Sequence, residues 1–478
     1  MKTKVVVATI AMVFGLGLGS TRALAYDLMD AYRDAVASDA QLRSAQAALE
    51  AARELVPQAR AGLLPQVGAS AEVLGNAVDT NMAPSRDYVS QVYAVQLSQP
   101  LYRPQNTIAY EQSKLQLEIA SQQYELARQD LILRVAEAYF DLLAARDNLR
   151  TIQAQKRAIA EQLAAAKRNF EVGTATITDE QEAQARYDLA TAQELAAESE
   201  LEIRRAALAL LTGKPVNEVD VVRPGVELLA PVPAQESAWT EAARANAIQV
   251  RQALIGADVF RQEIDRRRSA RGPTVDLVGQ VAHSRNSVST IPNIRSNSAA
   301  IGVQLAIPLY TGGAIEASVR EAAAGLAQAE ADVEVARRAA EQGSRQAFLG
   351  LYSGLAQVRA LEAAERSSQL ALASNELGYQ VGVRINIDVL NAQQQLFTTR
   401  RDLLGARYQV LLNGLRLKAT TGALDESSLA QVNALLVDPR VAEEAAAREE
   451  AEKERAAEAQ RRRQMEAVPA PGRRGGRR

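Results

Sequence analysis

Three patterns of apolar and polar positions follow one another along this chain, and the same three then return. From Leu28 to about Leu64 the sequence is Ala-rich with helical spacing, and Pro65 stops it. Alternation follows: Val67, Ala69, Ala71 and Val73 fall on one face, and Gln66, Ser70 and Glu72 on the other. A polar stretch with Gly, Asn and Pro (75–87) leads to a second alternating segment, about Tyr88 to Gln99, with Val89, Tyr93, Val95 and Leu97 on one side. Period-two alternation predicts two strands joined by a loop. From about Gln105 to Phe170 there is neither Pro nor Gly, which at ~1.5 Å per residue predicts a helix of ~100 Å. Within it Leu131, Val135, Ala138, Leu142, Ala145, Leu149 and Ile152 step by fours and threes, the seam of a coiled coil.

The second half repeats the plan. Val275, Leu277 and Val281 oppose Thr274, Asp276 and Gln280; Ala299, Ile301, Val303, Leu305 and Ile307 oppose Gly302 and Gln304, with a Ser/Asn-rich loop at 284–298 between them. The long helix that follows has small contact positions, Ala336, Ala340, Gly343, Ala347 and Gly350, which let helices approach closely. Gln96–Tyr102 matches Gln304–Tyr310, Phe170–Gly173 matches Tyr379–Gly382, and Thr212-Gly213 matches Thr421-Gly422, at offsets of 208, 209 and 209. Three landmarks in one order at nearly one offset indicate a duplicated unit. Its bounds are about 26–213 and 236–422, with a linker at 214–235 carrying Pro215, Pro224, Pro231 and Pro233. Each unit reads as helix, two strands, long helix, shorter helix, so the fold class is mixed α/β, mainly α. Four strands cannot close a barrel, whereas three copies would supply twelve. A soluble four-stranded sheet on an ordinary antiparallel bundle has the same pattern.

The N-terminus changes the picture. Lys2 and Lys4 precede an apolar stretch, roughly Val5 to Leu18, and Ala23-Leu24-Ala25 has the form of a cleavage site, so 1–25 is expected to be a signal peptide and the mature chain to begin at Tyr26. Removing Lys2, Lys4 and Arg22 takes the net charge from -2 to -5. Past Leu18 no apolar run is long enough for a membrane helix, but an exported chain can still cross a membrane as a β-barrel. The near-neutral charge does not suggest nucleic acid as a partner. Cysteine is absent, which excludes disulfides and thiolate chemistry. The single histidine, His283, lies in a predicted strand, and no P-loop, G-x-S-x-G or H-E-x-x-H occurs, so no enzyme, cofactor or metal site is expected. From about Asp438 to Arg478 the chain becomes a tail rich in Ala, Glu and Arg, expected to be helical at first and disordered at its end.

Each long helix ends in a similar turn: Phe170-Glu171-Val172-Gly173-Thr174-Ala175-Thr176-Ile177-Thr178-Asp179, and Tyr379-Gln380-Val381-Gly382-Val383-Arg384-Ile385-Asn386-Ile387-Asp388. Gly173 and Gly382 suit a position of positive φ at a helix end. Thr178, Asp179, Asn386 and Asp388 suit caps or first-turn acids of the returning helices.

These paired turns, the L-L-P-Q and P-L-Y-T-G-G segments and the duplicated layout resemble the TolC family of outer-membrane channels, from about Tyr26 to Val437. The resemblance implies a homotrimer in which a twelve-stranded barrel crosses the lipid of the outer membrane and a twelve-helix tunnel continues through the periplasm. It implies a periplasmic adaptor and an inner-membrane pump of RND or ABC type as partners, in efflux or type I secretion. By position, Thr178, Asp179, Tyr379 and Arg384 match the family's gate, with Arg384 and Tyr379 bonded to the Asp179 carboxylate. Gly173 and Gly382 match the tips where adaptors dock. Asp388 matches the first of two acidic rings at the constriction, while Asn391 stands where the second acid is often found, which argues against strong cation selectivity. Charge-assisted bonds contribute about 1.5–3 kcal/mol each, so a partner could break such a gate. A soluble periplasmic coiled-coil adaptor is the alternative; it would explain the long helices but not two hairpins with apolar faces.

Overall fold

The structure, a computed structural model, describes residues 26–445 and 448, apart from 82, 175, 229 and 287–293. The expected signal peptide, the tip of the second hairpin and nearly all of the tail therefore lie outside the described residues.

The first half runs α1 (Leu28–Ser38), α2 (Ala40–Ala61), β1 (Gln66–Thr80), β2 (Ala83–Tyr102), α3 (Pro104–Glu171) and α4 (Ile177–Thr212). A connecting strand, β3 (Val221–Val222), leads to α5 (Glu236–Asn246), α6 (Ile248–Ser269), β4 (Thr274–Asn286), β5 (Ile294–Ala306), α7 (Ala314–Gln380) and α8 (Asn386–Thr420). The described part ends with α9 (Glu426–Asn433), β6 (Leu436–Val437) and a helical stretch over 439–445.

The predicted helix over Leu28–Leu64 is two helices. Asp39 is the reason: its backbone N–H donates to Ala35 O at 2.8 Å, ending α1, while its carboxylate accepts from Leu42 N at 2.7 Å, starting α2. Arg134 of α3 holds that carboxylate at 2.9 Å, fixing the break against the helical shaft. Both hairpins are longer than the alternation suggested. The strands run well into the polar stretches expected as loops, because a backbone ladder continues wherever partners exist and needs no apolar side chain to propagate.

The four long strands form one antiparallel sheet in the order β1-β2-β4-β5. The central β2–β4 pairing joins the two halves, and at its base Arg103 grips Asp276 with two bonds of 2.7 and 2.6 Å. The register separates the faces. Val67, Leu97, Gly279 and Ile301 align in one row, with Ala69, Val95, Val281 and Ala299 in the next on the same face. The other face carries the rows Gly68, Gln96, Gln280, Ala300 and Ser70, Ala94, Ala282, Ser298. The apolar face is bare: Ile301 is 77% and Val67 69% exposed. Among the described residues β1 and β5 pair on one side only, leaving two open edges.

Below the sheet, α3 and α7 (68 and 67 residues) are the full-length struts. Each is flanked by a short helix near the sheet (α2 or α6, 22 residues each) and a longer one away from it (α4 or α8, 36 and 35 residues). Leu131, Val135, Leu142 and Ala145 of the predicted seam are buried. The largest core gathers where the short helices change over, with Tyr139 and Phe140 against Leu28, Tyr32, Leu208 and Leu415. The Tyr139 hydroxyl reaches the carbonyl oxygens of Tyr26 and Asp220, 3.0 Å from each. There the two ends of the described chain also meet: Tyr26 bridges Val219, β3 pairs with β6, and Asn433 Oδ1 accepts from Leu28 N at 3.0 Å. No helix among the described residues is long and apolar enough to cross a membrane.

Candidate functional site

The two helix tips farthest from the sheet hold every residue singled out from the sequence. At the first, α3 ends at Glu171 and Gly173 takes φ +75°, which lets Thr174 N turn back to Asn169 O at 2.8 Å. The α4 helix then starts at a capping box: Thr176 Oγ1 accepts from Asp179 N at 3.3 Å, and Asp179 Oδ2 accepts from Thr176 N at 2.9 Å. The cap is thus Thr176 rather than Thr178, which is exposed on the first turn.

At the second tip Gly382 takes φ +77°, and the amides of Val383 and Arg384 converge on Gly378 O at 2.9 and 3.1 Å. The stem of Arg384 lies on Gly378, where an added Cβ would come within 2.6 Å of Arg384 Cγ. The α8 helix has Ile385 at its N-cap and no side-chain cap. Asn386, expected as a cap, is 1% exposed and turned the other way. Its Nδ2 donates to Asp179 O at 3.3 Å, and its Oδ1 accepts from Gln162 Nε2, so it ties α8 to both α3 and α4. Leu390 follows it into a small core with Ile159, Leu163, Ala166 and Ala183.

The expected gate pairs are not made within one chain. Asp179 is occupied in its own cap; Tyr379 Oη accepts from Asn169 Nδ2 at 3.2 Å; and Arg384 Nη1 lies 3.7 Å from Asp388 Oδ2. Asn391 is exposed and accepts from Arg186 Nη2 at 3.0 Å. Gln162, Asn169 and Arg186 were not singled out from the sequence. Arg186 also donates to Gln394 on α8.

Both tips are apolar on the outside, with Val172, Ile177, Val381, Val383 and Ile385 exposed. The titratable groups with shifted pKa lie elsewhere. Arg266, bonded to Glu263 below the sheet, brings that carboxyl down to about 2, and burial, aided by Asp27 and Asp438, pushes Asp220 up to about 6. His283 sits on the sheet's apolar face, stacked on Tyr93 with centroids 6.4 Å apart and Nδ1 2.6 Å from Asn297 Oδ1. Among the described residues no three His, Asp or Glu side chains cluster as a metal site would require.

A family described as outer membrane efflux protein matches this chain twice, over residues 31–214 and 239–423. Outer membrane protein TolC of Vibrio cholerae is 33% identical, covering 88% of this chain and 96% of the relative. The proteases secretion protein PrtF of Dickeya chrysanthemi is 31% identical, covering 91% and 95%. Among solved structures, the Vibrio cholerae outer membrane protein VceC superposes with a TM-score of 0.71 at 20% identity, covering 83% of this chain and 96% of that one. CusC gives 0.72 at 18%, covering 83% and 93%.

Proposed function

Because this chain belongs to the outer membrane efflux protein family, and so is an outer-membrane channel protein extending into the periplasm, we propose that three copies close its open sheet into a twelve-stranded barrel continued by a helical tunnel. The observation that carries this is the sheet itself. One face is apolar and bare, the other polar, and both edges are open. Four strands with an apolar outer surface find a stable setting only when the edges pair with other copies and lipid covers the face.

The tunnel serves efflux or type I secretion, the latter supported by the relative named for protease secretion. The chain supplies a passive route. An inner-membrane pump of RND or ABC type provides energy, and a periplasmic adaptor docks on the apolar tips at Gly173 and Gly382. Thr178, Asp179, Tyr379 and Arg384 form the gate. Within one chain as it stands Asp179 meets neither Tyr379 nor Arg384; the gating bonds form when the trimer closes. Asp388 and Asn391 line the constriction above it. The soluble adaptor alternative does not fit membership of an outer-membrane family.

Single-channel conductance in a planar bilayer tests the reading. Wild type should conduct weakly, and Tyr379→Phe with Arg384→Ser should conduct more. An unchanged conductance in a folded trimer removes the gate assignment. No current from either, with the protein recovered in the soluble periplasm, removes the channel.

A further inference from the structure

The charge at the proposed constriction is not set by carboxylates alone. Arg186 of α4 reaches across to α8 and donates to Asn391 Oδ1 at 3.0 Å and to Gln394 Oε1. Both acceptors are neutral, and among the described residues this guanidinium enters no ion pair. Asp188, the carboxylate two residues on, takes its bond from Gln184 instead, at 3.0 Å. One turn nearer the tip, Asp388 already has a cation beside it, Arg384 at 3.7 Å. Each copy therefore brings to this level Asp388 faced by Arg384, and a second guanidinium, Arg186, that is held by neutral amides and paired with neither carboxylate of its own helix face and flank, Glu182 or Asp188. A guanidinium keeps its charge at any physiological pH. Amide oxygens can orient it without cancelling it, whereas a carboxylate at 391 would turn the same contact into an ion pair.

We infer that Arg186 is a selectivity-determining residue: three copies place a cationic ring beside Asn391, which makes the pore more permeable to small anions and anionic cargo, relative to cations, than the same pore without that charge. Rings of like charge around a narrow axis set ion selectivity. The inference rests on the reading of Asp388 and Asn391 as the constriction.

The test is the reversal potential of full-length trimers in planar bilayers across a KCl gradient. Arg186→Gln should move the K+/Cl− permeability ratio several-fold toward K+. Asn391→Asp should move it the same way, by pairing the charge. Arg186→Lys, which keeps the charge and loses the fork, should leave the ratio near that of wild type. A change in hydrogen bonding alone would alter conductance in both Arg186 variants without separating their ratios. A ratio unmoved by Arg186→Gln in a conducting channel overturns the inference and leaves the channel reading intact, as does a shift in Arg186→Lys as large as in Arg186→Gln. Absence of current in every protein overturns the channel reading and the inference together.

Discussion

The two helix tips share a backbone and differ in what they do with their hydrogen bonds. Gly173 and Gly382 adopt φ within a few degrees of each other, and the residues before α4 and α8, Thr176 and Ile385, are both extended. The first tip is self-contained, since Thr176 and Asp179 satisfy each other's amides in a closed box. The second leaves its N-cap bare and sends Asn386 sideways into the first. Duplication preserved the turn, and divergence made one copy an anchor and the other a dependent. Asp388 occupies in the second tip the place Asp179 holds in the first; with no cap hydroxyl to bond, its carboxylate stands beside Arg384 instead.

Four experiments break or sharpen this contrast, each read as the opening free energy of amides in the first turns of α4 and α8 by hydrogen exchange. Asn386→Ala should have the largest effect, about 2 kcal/mol, because it removes a buried side chain and strands the half-buried Gln162 amide and the Asp179 carbonyl. The loss should appear in both helices, and a loss confined to α8 would mean the cross-tie carries no load. Gly173→Ala and Gly382→Ala should each cost about 1–1.5 kcal/mol from the left-handed backbone alone, equally at the two tips. A larger cost at 382 would show that the second turn is under additional strain. Thr176→Ala should cost α4 about 1 kcal/mol, and the converse change, Ile385→Thr, should stabilise α8 by a similar amount, since Asp388 already stands three residues on to complete a box. If Ile385→Thr gives nothing, the open cap is held by its neighbours and not by the absence of a hydroxyl. Tyr379→Phe should be smallest, about 0.5 kcal/mol, for a partly exposed bond to Asn169.

Much of this was legible beforehand where a residue's own geometry decides its place. The seam around Leu131–Ala145 is buried because heptad spacing leaves it no other face, and Gly173 and Gly382 sit at positive φ because a tight helix end favours glycine. The strand alternation placed Val67 and Ile301 on one face for the same local reason. What could not be read depends on neighbours distant in sequence. Asp39 breaks a helix with the help of Arg134, 95 residues on, and without that partner an Asp in an Ala-rich run looks like a surface residue. Asn386 has the composition of a cap, and only the packing of α8 against α3 and α4 turns it into a buried tie. The partner of Asp179 was decided locally, by Thr176, whereas Tyr379 takes Asn169, 210 residues away in sequence, a contact that only the packing of one tip on the other reveals.

The meeting of Tyr26 with β3, and of β3 with β6, has a topological consequence. Tyr26 pairs with Val219 and Val437 with Val221 on opposite sides of one short extended segment, so they stand two strand spacings across and two residues along, roughly 12 Å apart. The protomer is in effect a loop of elements cut at a single point, and which half is translated first is incidental to its contacts. A circularly permuted chain, opened between Val226 and Gln235 and joined from 437 to 26 by a few glycines, should keep every pairing of the sheet and both tips. It should melt close to its parent, because the cut moves and only the contacts of the 439–445 stretch are lost, buried Ala442 and the Arg150–Glu443 ion pair among them.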